Sequence, residues 1–166
     1  MSKFFRNFAN YIRKEGPEYY IAGCLSLQLF CGLMLSERYV VRIIGCEGPS
    51  MEPTIDSRDN LVLLDAFTVN FIRWPKRGEV ICAQNPFKPG YTVIKRVLYT
   101  EGELARFYSK DKKDYIEVEV PKGHIWVEGD NKDNSNDSRH FGPISLGLVQ
   151  GICRQRIFPF DKVNKL

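Results

Sequence analysis

Two residues of this chain could together carry out nucleophilic chemistry, a serine on a constrained turn and a lysine within an apolar strand. Ser50 lies between Pro49 and Pro53 and follows an apolar run, so a rigid backbone presents its hydroxyl. Lys95 lies in the run YTVIKRVLY at 91–99. A serine hydroxyl is a poor nucleophile without a base, and a lysine amine is one group that can act as that base. We therefore consider Ser50 and Lys95 as a nucleophile and base pair.

Lys95 can act as a base only if its neutral form is populated. Its pKa must then fall from about 10.4 toward ~7–8, which corresponds to about 4 kcal/mol of desolvation and field effects. Strand alternation places Lys95 on one face with Val93 and Val97, opposite Ile94 and Arg96. These apolar neighbours would favour the neutral amine, although a single lysine on a strand is more often an ordinary solvent-facing residue.

A third polar segment, 129–142, reads GDNKDNSNDSRHFG. By composition alone, a run this rich in Asn and Asp predicts turns. The histidines His124 and His140 lack companions that would suggest a site, and the cysteines form no CxxC pair. No metal or cofactor is therefore expected, and no disulfide framework is indicated. The five cysteines are Cys24, Cys31, Cys46, Cys82 and Cys153.

The elements that must position these residues divide into an N-terminal part and a body. The segment 1–18 is basic and amphipathic, 19–36 predicts one transmembrane anchor, and 37–166 predicts a β-rich domain. Most of the net charge of +4 lies at or before Arg42, so the body is close to neutral and does not favour nucleic-acid binding. By the positive-inside rule, the basic N-terminal segment leaves the body on the other side of the membrane. A cleaved signal sequence or a buried helix is the alternative to the anchor.

The body contains short apolar runs separated by Gly, Pro, Asn and Asp, which predicts an all-β sandwich or barrel. An aromatic stretch at 67–74 falls between two of these runs; it predicts either core aromatics under a loop or a surface that rests on membrane lipid. The predicted strands are 39–46, 61–65, 79–83, 91–99, 115–120, 124–128 and 147–158.

Four blocks of sequence, in this order, resemble the type I signal peptidase family, and within it the mitochondrial inner membrane proteases. The blocks are Ser50-Met51-Glu52-Pro53-Thr54, Arg77-Gly78-Glu79-Val80, Lys95-Arg96-Val97 and the long segment 129–142. The resemblance covers the anchor and nearly all of the body. It implies a mainly β, signal-peptidase-like Ser-Lys peptidase fold with one N-terminal transmembrane helix.

The resemblance also implies roles for individual residues. Ser50 would be the nucleophile and Lys95 the general base. Ser135 falls where the family has a serine that orients the lysine amine. Supporting positions are Ser135, Asp130, Asp137, Arg139 and Met51.

An extended cleavage-site peptide can add to an exposed strand edge. The strand of Lys95 is the expected edge, because it would bring the base to the scissile bond. Shallow pockets at Cys46, Val93 and Ile94, together with Ile44, would then bind the substrate.

The function implied is that of a serine endopeptidase that removes hydrophobic sorting presequences from proteins delivered to the mitochondrial intermembrane space. The implied location is the inner membrane, crossed once, with the catalytic domain facing that space. The implied partners are precursor proteins with cleavable sorting sequences, membrane lipid and a second, homologous protease subunit. The motifs favour the first of the two related subunits. The alternatives are a catalytically silent, membrane-tethered assembly subunit and a self-cleaving repressor-type Ser-Lys peptidase, which lacks the 129–142 segment.

One position departs from the family pattern. Some bacterial members have, two residues before the nucleophile, a serine whose hydroxyl helps hold the oxyanion; this chain has Gly48 there. Loss of one such donor typically costs about 3–4 kcal/mol of transition-state stabilisation, so we expect another donor to replace it.

Overall fold

A computed structural model describes residues 2–109, 113–160 and 163–166 of the chain. The chain divides into two compact units, Met1–Arg38 and Tyr39–Leu166. The first is helical and the second holds all the strands of the described residues.

The N-terminal unit is built on a single helix, α1 (Ser2–Tyr39), which covers both the predicted amphipathic segment and the predicted anchor. Its part Glu18–Tyr39 is long and apolar enough to cross a membrane, and none of that span is buried within the protein. This confirms the prediction of one apolar N-terminal helix as a candidate membrane span. The side chains of residues 1–15 and 17 lie outside what the structure describes, and with them the predicted apolar face of the amphipathic segment.

The body is mainly β, as predicted, and most of it is one curled antiparallel sheet in the order β1-β2-β9-β3-β4-β7-β8, with β10 added to β9. The short strands β5 and β6 form a separate ribbon. The strands are β1 (Val41–Cys46), β2 (Asn60–Asp65), β3 (Val80–Gln84), β4 (Thr92–Tyr99), β5 (Leu104–Ser109), β6 (Asp114–Glu119), β7 (His124–Glu128), β8 (Ile144–Ser145), β9 (Val149–Phe158) and β10 (Asn164–Lys165).

Each predicted strand has a counterpart, but three strands had not been predicted. β8 and β10 are two residues long, too short to give a periodic signal. β5 has the sequence LARFYS, in which Arg106 interrupts the apolar residues. Two of its aromatic side chains pack on other strands. Tyr108 packs edge-on against Tyr115 of β6, and Phe107 packs against Trp126 of β7. Cross-strand and tertiary contacts of this kind decide strand formation more than local propensity does.

The described residues form three hydrophobic clusters, of which the smallest, around Trp126, joins the β5–β6 ribbon to the sheet. The other two form the interior of the sheet. One is built on β3, β4, β7, β8 and β9 and includes Ile81, Val97 and Val127. The other is built on β1, β2, β3 and β9 and also receives Met51 and Ile55 from the segment after β1. The curl of the sheet lets that segment pack on the sheet interior, close to β4.

Pairing along β4 is incomplete on one side. β3 pairs with β4 over Thr92–Arg96, whereas the β7 register begins only at Arg96. Within the described residues, Thr92–Lys95 therefore presents an unpaired strand edge. β1 lies at one end of the sheet and has β2 as its only sheet neighbour there.

The aromatic stretch lies at the surface and is not part of the core. Phe71 is 63% exposed and Trp74 is 55% exposed, and Phe67 and Ile72 are similarly exposed. These residues belong to, or flank, a short π-helix (Thr68–Ile72) between β2 and β3. The interpretation of this stretch as core aromatics is therefore wrong. Its exposed side chains form an apolar surface, and contact of that surface with membrane lipid stays a prediction.

Candidate active site

Ser50 lies in a short 3-10 helix, Pro49–Met51, that follows β1. The Glu52 N–H donates to the Pro49 carbonyl at 3.2 Å and the Ile55 N–H to the Met51 carbonyl at 2.9 Å. Met51 and Ile55 are almost fully buried in the second hydrophobic cluster. These two buried residues that follow Ser50 anchor the turn, while the Ser50 side chain lines the cleft beside it.

Lys95 meets Ser50 at hydrogen-bond distance, with 2.8 Å between Nζ and Oγ. The lysine is 4% exposed, on the face of β4 that also buries Val97. Burial lowers the pKa of Lys95 below its usual value, and the negative charges of Asp137 and Asp130 oppose this only in part. The structure thus places a buried lysine with a lowered pKa beside the Ser50 hydroxyl, which is the arrangement that proton abstraction requires.

The segment 129–142 packs against the Ser50 turn. The Asn131 N–H donates to the Ser50 carbonyl at 3.1 Å. Gly129 lies so close to the Ser50 carbonyl and to Ser135 that a Cβ at this position would overlap both. The role of Gly129 is therefore to allow the close approach of two backbones.

Asp137 holds this segment together. Its fully buried carboxylate accepts a bidentate pair of 2.9 Å hydrogen bonds from Arg139 and one of 3.0 Å from the Gly129 N–H. Burial by itself would raise the pKa of Asp137, but the hydrogen bonds from Arg139 and Gly129 outweigh it and hold this pKa below the usual aspartate value. Asp137 and Arg139, two of the predicted supporting positions, thus form a buried ion pair within the segment 129–142.

Asp130 forms a second ion pair. Arg96 donates to both of its carboxylate oxygens, at 2.8 and 2.7 Å, and the Thr54 hydroxyl donates to one of them at 2.6 Å. Burial would raise the pKa of Asp130, but the hydrogen bonds from Arg96 and Thr54 lower it. Asp130 therefore carries its negative charge at neutral pH between the Ser50 turn and β4.

Ser135 is buried against Gly129. Its hydroxyl lies near enough to Asp137 to help lower the pKa of that carboxyl, but it makes no hydrogen bond of good geometry within the described residues. The role of orienting the Lys95 amine stays a prediction.

A cleft of about 170 Å³ opens beside Ser50 and Lys95. The three predicted substrate-binding residues, Cys46, Val93 and Ile94, all line it. Burial raises the pKa of Cys46 to about 12, so this residue meets the cleft as a neutral thiol. The other lining residues are Ile44, Gly45, Glu47, Gly48, Met51, Ile55 and Thr92.

Gly48, where some bacterial relatives have serine, has a φ of 111°. Residues with a side chain rarely adopt this backbone conformation, so the backbone would be strained if serine stood at this position. The Gly48 N–H donates to the Ser57 carbonyl at 2.8 Å and is thus already engaged. A replacement oxyanion donor stays a prediction.

The ionised Asp137 gives a prediction for stability. Its folded pKa is below the usual value, so its contribution is present above that usual value and is lost as pH falls through the folded pKa. We expect Asp137→Asn to destabilise the body by about 3 kcal/mol at neutral pH, because Arg139 loses the buried carboxylate that accepts its two 2.9 Å hydrogen bonds. Thermal denaturation against pH measures this. The difference between the two proteins should narrow in acid, and an equal difference at all pH values would contradict the assignment.

Four residues that support the site have no role in the sequence-based prediction. Gly129 and Asn131 act through backbone contacts, and Arg96 and Thr54 act through Asp130. All four lie within the sequence blocks that resemble the signal peptidase family, and this position is the only indication in the sequence that they support the site. Among the described residues, no group of three or more His, Cys, Asp and Glu side chains is arranged to hold a metal ion.

Comparisons with known proteins identify the relatives of this chain. Residues 104–158 match the family model described as signal peptidase, peptidase S26. The mitochondrial inner membrane protease subunit 1 of Xenopus tropicalis is 37% identical over 141 residues, which cover 85% of this chain and 83% of that protein. Subunit 2 from Schizosaccharomyces pombe is 35% identical over 137 residues, 81% of this chain and 74% of that protein.

The human mitochondrial inner membrane protease subunit 1 is 36% identical over 138 residues, which cover 82% of this chain and 81% of that protein. A crystal structure of signal peptidase I from Enterococcus faecalis aligns with 48% of this chain and 97% of that chain, at 24% identity and a TM-score of 0.41. The aligned regions cover most of each of these sequence relatives and most of this chain. The chain belongs to the S26 signal peptidase family, among relatives that are mitochondrial inner membrane protease subunits.

Proposed function

We propose that this protein is a membrane-anchored serine endopeptidase in which Ser50 is the nucleophile and Lys95 the general base. The observation that carries the proposal is the distance of 2.8 Å between Lys95 Nζ and Ser50 Oγ, with the lysine buried. A solvent-exposed lysine would stay protonated at neutral pH, whereas this one has a lowered pKa. The family membership supports peptidase activity in general.

In the proposed reaction, neutral Lys95 accepts the Ser50 hydroxyl proton as Oγ attacks the carbonyl carbon of the scissile bond. Collapse of the tetrahedral intermediate breaks the C–N bond, and Lys95 returns the proton to the leaving amine. A water molecule then attacks the acyl ester while Lys95 accepts its proton. Collapse of the second tetrahedral intermediate breaks the ester C–O bond, and Lys95 gives the proton to Ser50 Oγ. The carboxylic acid is released, and the Ser50 hydroxyl and the neutral Lys95 amine are restored.

The substrate is proposed to enter as an extended strand beside Thr92–Lys95, whose edge β7 leaves unpaired. Main-chain hydrogen bonds would hold it there, and Cys46, Val93 and Ile94 would contact its side chains. A cleft of about 170 Å³ suits small residues next to the cut. This geometry supports the interpretation of those three residues as the substrate-binding set.

The substrates proposed are precursors with hydrophobic sorting sequences, cleaved on the intermembrane-space side of the mitochondrial inner membrane. Two observations support this: the relatives are named as proteases of that membrane, and α1 contains one candidate span. The domain boundaries 1–18, 19–36 and 37–166 belong to the same proposal: an amphipathic segment, a transmembrane anchor and a peptidase domain.

The proposal includes a second, homologous subunit, because the relatives include both subunit 1 and subunit 2 of the mitochondrial inner membrane protease. Phe71, Ile72 and Trp74 are an exposed apolar surface that would contact membrane lipid. The hydrogen-bonded Ser50 and Lys95 favour an active subunit over a silent assembly subunit.

The experiment that tests this function is a pulse-chase of intermembrane-space precursors in cells whose only copy of the chain carries Ser50→Ala. We expect the precursors to accumulate uncleaved while the variant stays in the membrane fraction, because the substitution removes only the nucleophile. Ser57→Ala is a suitable control, since Ser57 lies nearby but meets Gly48 through its backbone carbonyl. Normal cleavage by the Ser50→Ala protein would reject the serine mechanism.

A further inference from the structure

Thr54 joins the two parts of the site that carry the reacting groups. Its hydroxyl donates to Asp130 at 2.6 Å, across 76 positions of sequence. The same carboxylate is held by Arg96, which follows Lys95 on β4, and Arg96 also donates to the Gly78 carbonyl at 2.8 Å. A chain of hydrogen bonds thus runs from the Ser50 turn through Asp130 to the strand of the lysine.

The turn is held at two points by consecutive residues of the 129–142 segment. The Asn131 N–H holds the carbonyl of Ser50 itself, and Asp130 holds Thr54 four residues later. Two contacts that lie four residues apart leave the turn less freedom to rotate than either contact alone would. The bond from Thr54 is the shorter of the two and is charge-assisted, so it is the stronger.

We propose that Thr54 is a positioning residue for the Ser50–Lys95 pair, which it holds in reacting geometry through Asp130 and Arg96. The inference rests on the proposed function, since it assigns Thr54 a part in that same site. Thr54 does not line the cleft, so its contribution falls on the alignment of the pair and not on substrate binding.

Thr54 also affects the charge that faces Lys95. The carboxylates facing the lysine are Asp130 and Asp137, each paired with an arginine, Arg96 or Arg139. The hydroxyl dipole of Thr54 counters part of the Asp130 charge. Without it, that charge would favour protonated Lys95 more strongly, and the enzyme would need a higher pH to reach its active form.

The chain contains a matched control for this arrangement. The Thr68 hydroxyl donates to Asp65 at 2.7 Å, and Arg154 donates to the same carboxylate through Nε and Nη2 at 2.9 and 2.7 Å. The group has the same chemistry as Thr54, Asp130 and Arg96, but it lies between β2 and β9. Thr68→Val therefore removes the same kind of hydrogen bond where no effect on the reacting pair is expected.

The test compares Thr54→Val, Thr54→Ser and Thr68→Val as full-length, detergent-solubilised protein, with kcat and KM for a precursor substrate measured across pH. For Thr54→Val we expect kcat to fall about tenfold, with KM changed less than twofold and the acid limb of kcat moved to higher pH. Thr54→Ser should restore all three quantities, because it keeps the hydroxyl. Thr68→Val should keep the wild-type kcat and acid limb even if its melting temperature falls.

A Thr54→Val protein with wild-type kcat and acid limb would overturn the inference. So would a lower rate with an unmoved acid limb, which indicates only a smaller folded fraction, because the limb does not depend on the amount of folded enzyme. Failure of Thr54→Ser to restore activity would also overturn it. Ser50→Ala in the same assay separates the two proposals: cleavage by that variant rejects the proposed function itself, whatever Thr54 does.

Discussion

Lys95→Met should reduce precursor cleavage by about 10⁴-fold while the protein remains folded and membrane-bound. Methionine fills nearly the same buried space beside Val97, so packing is kept, but it cannot accept the Ser50 proton. Lys95→Arg should not restore activity, because a guanidinium group stays protonated at all accessible pH values. The rate of cleavage by purified full-length variants, normalised to folded protein, measures both effects.

Lys122→Met is the control for this result, since Lys122 is exposed and outside the cleft. It should cleave at the wild-type rate. If Lys95→Met kept more than about one tenth of the wild-type rate, Lys95 would not be the base. Activity in Lys95→Arg would likewise show that a positive charge, and not proton transfer, is what the position supplies.

Gly129→Ala should lower activity by at least about 100-fold, the largest effect we expect from a residue that does not react. The added Cβ would lie 2.7 Å from Ser135 Cβ and would also overlap the Ser50 carbonyl, so the backbone must move. The movement would displace the Ser50 turn from Lys95. A cost of about 1–3 kcal/mol in the free energy of unfolding should accompany it. Cleavage rates and thermal denaturation of the same preparations measure the two losses.

Gly147→Ala is the matched control, since its Cβ would meet only Ser145 Oγ at an ordinary 3.6 Å. We expect that variant to keep both activity and stability. Neither Gly129 nor Gly147 has a positive φ, so the comparison tests space and not backbone conformation. Wild-type cleavage by Gly129→Ala would contradict the close approach between the 129–142 segment and the Ser50 turn.

The sequence predicts the proposed reacting residues better than it predicts the residues that hold them in place. The chemistry of Ser50 and Lys95 and the sequence blocks around them predict that they act together. In the structure, 2.8 Å separates Lys95 Nζ from Ser50 Oγ. The Thr54–Asp130 contact spans 76 positions, and no local pattern marks it. The β5 sequence alone does not predict a strand, and its aromatic side chains contact Tyr115 and Trp126 on other strands. The sequence does not decide whether Phe71 and Trp74 are exposed, because an aromatic loop can pack inward or face outward with the same composition.

The sequence by itself determined the class of this protein: an apolar N-terminal helix, a β-rich body and a serine and lysine in family order. The helix and the β-rich body follow from periodicity and residue type, which are local, and the family order follows from the resemblance of the four sequence blocks. Only the tertiary structure decided that Lys95 is buried, that its pKa is lowered, and that Gly129 and Thr54 fix the turn beside it. Desolvation and hydrogen bonding depend on which distant segments meet, and the curl of the sheet brings Ser50, Lys95 and the 129–142 segment together at one place.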